Sequence, residues 1–187
     1  MKAALLCLPT LAGCAAQVPN LNPRAAQPQQ PAAHVDLTRY MGRWYIIASA
    51  HNKMERGMVG SYFEYSRRED GKISVVYSAR KHDFDHPLET DAGVAMVDDT
   101  DNNARWSVQF TWPLSENLLI LYVDPDYRYA VVGDPQKDDA WILSRQIYIG
   151  DRDYQHLLDV LDTQGYDTFR LIRVPQRPEF LGVPGYG

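Results

Sequence analysis

Few of the residues able to do chemistry in this 187-residue sequence are spaced to do it. His82 and His86 flank Asp83-Phe84-Asp85, so two imidazoles could share one face of an extended segment. Zinc asks for three or four ligands, and no third stands nearby, so the pair reads as part of a solvated loop. Asp98-Asp99-Thr100-Asp101-Asn102-Asn103 gathers oxygen donors as a calcium loop does, but it lacks the Gly and terminal Glu of an EF-hand. It reads as an acidic hairpin turn. Asp138-Asp139 sits in another turn, where solvation accounts for paired carboxylates. No Gly-x-Ser-x-Gly elbow, His-Glu-x-x-His pair or phosphate-cradling glycine loop occurs. The sequence therefore assigns no catalytic residue, no metal site and no cofactor, and the expectation is a protein that is not an enzyme. Two residues stand out instead. Trp44 lies in Gly42-Arg43-Trp44-Tyr45, and Arg145 closes Trp141-Ile142-Leu143-Ser144-Arg145. A guanidinium over an indole face is worth about 0.5–2 kcal/mol when shielded.

Short alternating segments must position that pair. Apolar residues make up 45% of the chain and aromatic residues 11%, with Tyr the commonest aromatic, a composition suited to strands. Trp106, Val108, Phe110 and Trp112 alternate with Arg105, Ser107, Gln109 and Thr111, and Ile73, Val75, Tyr77 and Ala79 share one face. Eight strands are predicted near 43–50, 59–67, 72–81, 89–98, 104–112, 117–123, 128–133 and 139–146. Turn signals such as Asp70-Gly71, Asp124-Pro125 and Asp134-Pro135 separate them. The predicted fold is all-β, an eight-stranded up-and-down antiparallel barrel. One C-terminal helix follows, with Asp151 as N-cap, Gly165 as stop, and Tyr154, Leu157, Leu158 and Leu161 as the stripe laid on the barrel. A last strand, Phe169 to Val174, is expected at the barrel edge. In such a barrel odd strands rise and even strands return. Gly42-Arg43-Trp44, the turn Asp124-Pro125-Asp126-Tyr127 and Arg145 then share the bottom, closed end. Residues 51–58, 82–88, 113–116 and 134–138 surround the mouth, where Met54, Met58, Trp112 and Leu114 form an apolar rim.

The ends of the chain read differently. Met1-Lys2, the apolar stretch Ala3 to Leu8, and Leu11-Ala12-Gly13-Cys14 resemble a bacterial lipoprotein signal, in which Cys14 receives the lipid after removal of residues 1–13. Ala15 in place of Asp implies export to the outer membrane. Only one Cys would remain, so no internal disulfide is expected. Residues 14–34 are rich in Pro, Gln and Ala and read as a tether of about 50–60 Å when extended. The expected folded body is 35–175, followed by a flexible tail, 176–187. The net charge of −5 leaves no basic footprint for nucleic acid, and no apolar run is long enough to span a membrane as a helix.

Gly42-x-Trp44, the Asp126-Tyr127 turn and Arg145, in that order, resemble the three signature regions of the lipocalins. Asp36-Leu37-Thr38-Arg39-Tyr40-Met41-Gly42-Arg43-Trp44-Tyr45, Glu55-Arg56-Gly57 and Trp141 to Arg145 resemble the bacterial branch, lipid-anchored at the Gram-negative outer membrane. The resemblance covers about 35–175. It implies storage or transport of a small hydrophobic ligand, a fatty acid or lysophospholipid, in periplasm-facing envelope maintenance or stress. By parity, Ala48, Val75, Tyr77, Val108 and Phe110 line the cup. A lipocalin-fold enzyme acting on a lipid, and an envelope interaction protein working through its surface, remain alternatives. Pairing of two copies as a homodimer stays open.

Overall fold

A computed structural model describes residues 28–50, 55–111 and 114–187. The expected signal 1–13, Cys14, the first part of the tether, Met54 and Trp112 lie outside the described residues. The strands are β1 (Gly42–Ala50), β2 (Met58–Arg67), β3 (Ile73–Lys81), β4 (Glu89–Val97), β5 (Arg105–Gln109), β6 (Glu116–Val123), β7 (Tyr129–Gly133) and β8 (Ala140–Ser144). Each pairs antiparallel with the next, and β1 pairs with both β2 and β8, so the sheet closes into the eight-stranded barrel that the alternation predicts.

Closure at the seam is incomplete without the C-terminus. Only Gly42 to Tyr45 of β1 pair with β2, because bulges near Ile47 and Val59 turn the two strands apart. A ninth strand, β9 (Leu171–Arg173), takes over alongside Ala48 to Ala50. Beyond it Val174 N donates to Ile47 O at 2.9 Å, while Pro175 O accepts from Gly60 N at 2.7 Å. The buried Gln176 amide donates to Ile46 O and Ser61 O, one on each side of the gap. The tail does not hang loose as expected. Phe180 stacks on Tyr186 at 4.8 Å, and Gly187 N donates to Arg173 O. Its Pro and Gly content suits the turns that fold it back, rather than disorder.

Helix α2 (Asp151–Thr163) lies outside the barrel, with Leu157 and Leu161 fully buried against Ile142, Val131 and Leu119. Gly150, not Asp151, is its N-cap residue. Asp151 is instead the first helical residue and accepts from Arg173, while Asp153 accepts from the Tyr129 hydroxyl. Both carboxylates still favour the positive end of the helix. A four-residue helix not anticipated by the alternation, α1 (Leu37–Tyr40), precedes β1. Asp36 caps it, accepting from Thr38 N and Arg39 N, and these bonds hold its carboxyl below the usual range.

Part of the expected tether belongs to the folded body. Gln29 donates to Asp134 O and to the Tyr166 hydroxyl, and Ala32 N donates to Ile120 O at 2.8 Å. These bonds fasten residues that composition alone marks as free.

Candidate functional site

The closed end is built around one guanidinium. Arg145 follows β8 directly and lies 3.8 Å from the centre of the buried Trp44 ring. Its Nη1 donates to Arg43 O at 2.7 Å, and its Nη2 donates to Arg39 O, Tyr40 O and Met41 O at 2.7, 3.1 and 2.9 Å. The planar fork thus satisfies the carbonyls that α1 leaves open at its C-terminus. Gly42 sits below at φ +91°, where an added Cβ would come 3.4 Å from the guanidinium. Half-burial lowers the affinity of Arg145 for its proton, since desolvation disfavours charge.

Aromatic rings finish the floor. Trp44 Nε1 donates to Tyr40 O at 2.7 Å, and the Tyr40 ring lies 5.1 Å from Trp44, 5.5 Å from Tyr65 and 5.4 Å from Trp106. Burial pushes the Tyr40 and Tyr65 phenols well above their ordinary values, so both stay neutral. Tyr127 accepts Asp36 N on its hydroxyl at 2.7 Å and carries the Arg39 guanidinium 4.2 Å from its ring.

The acid that organises the bottom turn is Asp124, not Asp126. Its side chain is 3% exposed and accepts from Arg128 N, Tyr129 N and Arg128 Nε. Asp126 is 74% exposed, and its carboxylate lies 3.7 Å from Arg128 Nε. Both acids fit a turn by composition. The difference is that Asp124, directly after β6, points back at the amides of Arg128 and Tyr129 where the next strand begins.

Above the floor lies a narrow slot of about 420 Å³, counted with its opening. Most of that is open to solvent; the enclosed volume is about 20 Å³, so a long ligand needs the lining side chains to move apart. Val75, Val108 and Phe110 line it, joined by Phe63, Tyr65, Leu118, Val132, Trp141 and Leu143. Phe110 packs over Gly93, whose missing side chain leaves the ring its place. Tyr77 is inside the barrel but does not line the slot; it packs on Phe63 and hydrogen-bonds Glu55. Ala48 faces outward, among the residues beneath α2. The bulge explains this: Ile46 pairs with the inward Leu143, then Ile47 and Ala48 both turn outward, and Ala48 pairs with the outward Ile142. Trp141 and Leu143 were legible by parity on β8, and their alternation with outward Ile142 is the signal that finds them.

Two polar features stand near the slot. Trp141 is 6% exposed, and its Nε1–H meets no protein acceptor among the described residues. Glu116, Leu118 and Trp141 also border a wider polar vestibule at the mouth, with Ser115, Asn117, Asp134, Gln136, Asp138 and Asp139. Elsewhere at the mouth, buried Glu55 accepts from Ser61 Oγ at 2.7 Å and bonds Tyr77; burial raises its pKa to about 7.

The histidine loop and the acidic turn are held by their own bonds. Asp83 accepts from Asp85 N, His86 N and His86 Nδ1, and Asp99 accepts from Asp101 N. No cluster of three His, Cys, Asp or Glu side chains suited to a metal occurs among the described residues.

Residues 35–176 match the model of the lipocalin-like domain. The chain is 33% identical over 141 residues to the outer membrane lipoprotein Blc of Citrobacter freundii, covering 75% of this chain and 79% of that one. It is 30% identical over 153 residues to temperature-induced lipocalin-1 of Arabidopsis thaliana, covering 76% and 80%. Lobster apocrustacyanin A1 superposes with a TM-score of 0.61 at 19% identity, covering 77% of this chain and 81% of that one, a likeness of fold alone. Barrel, external helix, sealed floor and matched span agree, and the chain belongs to the lipocalin-like family.

Proposed function

We propose that the protein binds and carries an acyl lipid, a fatty acid or a lysophospholipid, with its chain in the slot and its head in the vestibule. The observation that carries this reading is the continuity of an apolar slot with a polar mouth through Trp141, whose buried N–H has no acceptor among the described residues. An unsatisfied buried donor costs roughly 1–3 kcal/mol, which a carbonyl or phosphate oxygen of the lipid would relieve. Each buried methylene adds about 0.8 kcal/mol before ordering costs, so a long chain supplies the affinity. The vestibule carries Glu116, Asp134, Asp138 and Asp139, which favours a head bearing an ammonium group over a bare carboxylate. Binding rather than turnover is the role.

The similarity to an outer membrane lipoprotein supports a periplasm-facing place at that membrane, with Cys14 as the lipidated residue and envelope lipid maintenance as the task. Native mass spectrometry of the purified protein tests the carrier reading. A copurifying lysophospholipid or fatty acid is expected, and a protein that emerges empty and refuses added acyl lipids contradicts it. Cys14→Ala tests the anchor alone and should move the protein from the membrane to the soluble fraction.

A further inference from the structure

Residues 29–35 run along the barrel wall from one end to the other. Gln29 is bonded to Asp134 O in the turn between β7 and β8, at the mouth. Ala32 N bonds Ile120 O halfway along β6, and Val35 N bonds Asn102 O in the turn between β4 and β5, at the floor. A run of this length spans roughly 20–25 Å, the height of a short barrel wall. The strap therefore descends from rim to floor, with Gln29 at the mouth side.

Apolar side chains gather at that same rim. Phe169 is 99% exposed, just before β9, whose Leu171 pairs with Ala50 at the upper end of β1. Leu114, 71% exposed, lies in the turn between β5 and β6, and Leu88 is exposed in the turn between β3 and β4. Both turns are at the mouth. The opposite end shows water Arg43, Asp126 and Arg128. Other exposed apolar groups, Met96, Tyr148, Leu181 and Val183, lie away from the rim turns. The rim is acidic on balance: Lys81 pairs with Glu89 and Arg170 approaches Asp138, while the vestibule adds Glu116, Asp134 and Asp139. An apolar rim with acidic neighbours suits a zwitterionic bilayer better than an anionic surface.

We propose that the mouth is a bilayer-docking surface, in which Leu88, Leu114 and Phe169 enter the interface while the strap delivers the N-terminal anchor on the same side. The role of the anchor rests on the lipidated Cys14 of the function proposed above; the docking itself rests on the rim and the strap. The slot then opens onto the membrane, and a lipid enters it without its chain crossing water.

The test is orientation on a vesicle. The chain from residue 14 onward, with Cys14→Ser and a hexahistidine at its start, is held on phosphatidylcholine vesicles containing a nickel-chelating lipid. A nitrobenzoxadiazole dye is placed at Phe169→Cys, Leu114→Cys or, at the floor, Asp126→Cys. Brominated lipid is expected to quench the two rim dyes at least threefold more than the floor dye. Equal quenching, or stronger quenching at Asp126→Cys, overturns the docking. Because capture does not use Cys14, that failure is separate from failure of the anchor, which membrane fractionation of Cys14→Ala reads.

Discussion

The Arg145 guanidinium rests 3.8 Å from the centre of the Trp44 ring while donating to the carbonyls of Arg39, Tyr40, Met41 and Arg43. One side chain thereby shields the indole, ends α1 and ties the last barrel strand to the first. Arg145→Ala is expected to lower unfolding stability by about 2–3 kcal/mol through these lost charge-assisted bonds. Arg145→Lys should recover less than half, since an ammonium cannot serve the carbonyls with a planar fork. Urea denaturation measures both.

Glu55 gives stability a pH dependence. Its pKa rises from 4.5 to about 7 on folding, chiefly through burial. Between those values the folded state holds a proton that the unfolded state has lost, so stability falls as pH rises through the window. The full effect above pH 7 is on the order of 3 kcal/mol. Glu55→Gln should flatten the denaturation midpoint between pH 5 and 8 and leave the protein more stable than its parent at pH 8.

Ala48 and Val108 separate the two sides of the barrel wall. Val108→Trp, inside the slot, should weaken acyl-lipid binding at least tenfold. Ala48→Leu should leave affinity unchanged and cost about 1–3 kcal/mol of stability by overpacking beneath α2. Fluorescent lipid displacement and denaturation, run on both variants, read the contrast.

Gly133 makes room for Tyr166. A Cβ there would lie 2.3 Å from the Tyr166 hydroxyl, which donates to Asp134 O and accepts from Gln29. Gly133→Ala must displace that ring, so it should destabilise the protein and release the top of the strap. Faster amide hydrogen exchange at Gln30 and Ala32 would report the release.

The barrel is legible in the sequence because its cues are local. Alternation in Trp106, Val108 and Phe110, with turn residues between the runs, is enough to order eight strands, and strand direction alone puts residues 44, 124–127 and 145 at one end. Parity breaks where one residue is inserted, and the bulge at Ile47 sends Ala48 outward with no mark in the residue types. The choice between Asp124 and Asp126 depends on which carboxylate faces the next strand's amides, a matter of three-dimensional direction. Segments 28–34 and 175–187 look loose by composition, yet long-range bonds from Gln29, Ala32 and Gln176 hold them, and composition carries no trace of such partners.

The Trp141 Nε1–H, buried and without an acceptor among the described residues, is the group that the proposed lipid head would meet. Trp141→Phe should weaken lysophospholipid binding about five- to tenfold, the loss of roughly one hydrogen bond, while a plain alkane of equal length binds as before.

The central claim is that an acyl chain enters the barrel from the Trp141 end and stops above the Trp44 floor. Nuclear Overhauser contacts from a lysophosphatidylethanolamine carrying a labelled terminal methyl test it most directly. Contacts from that methyl to Val75, Leu143 and Tyr65, together with a shift of the Trp141 Nε1–H resonance, are the expected result. Contacts confined to the outer surface, with the Trp141 resonance unmoved at saturating lipid, would contradict the account.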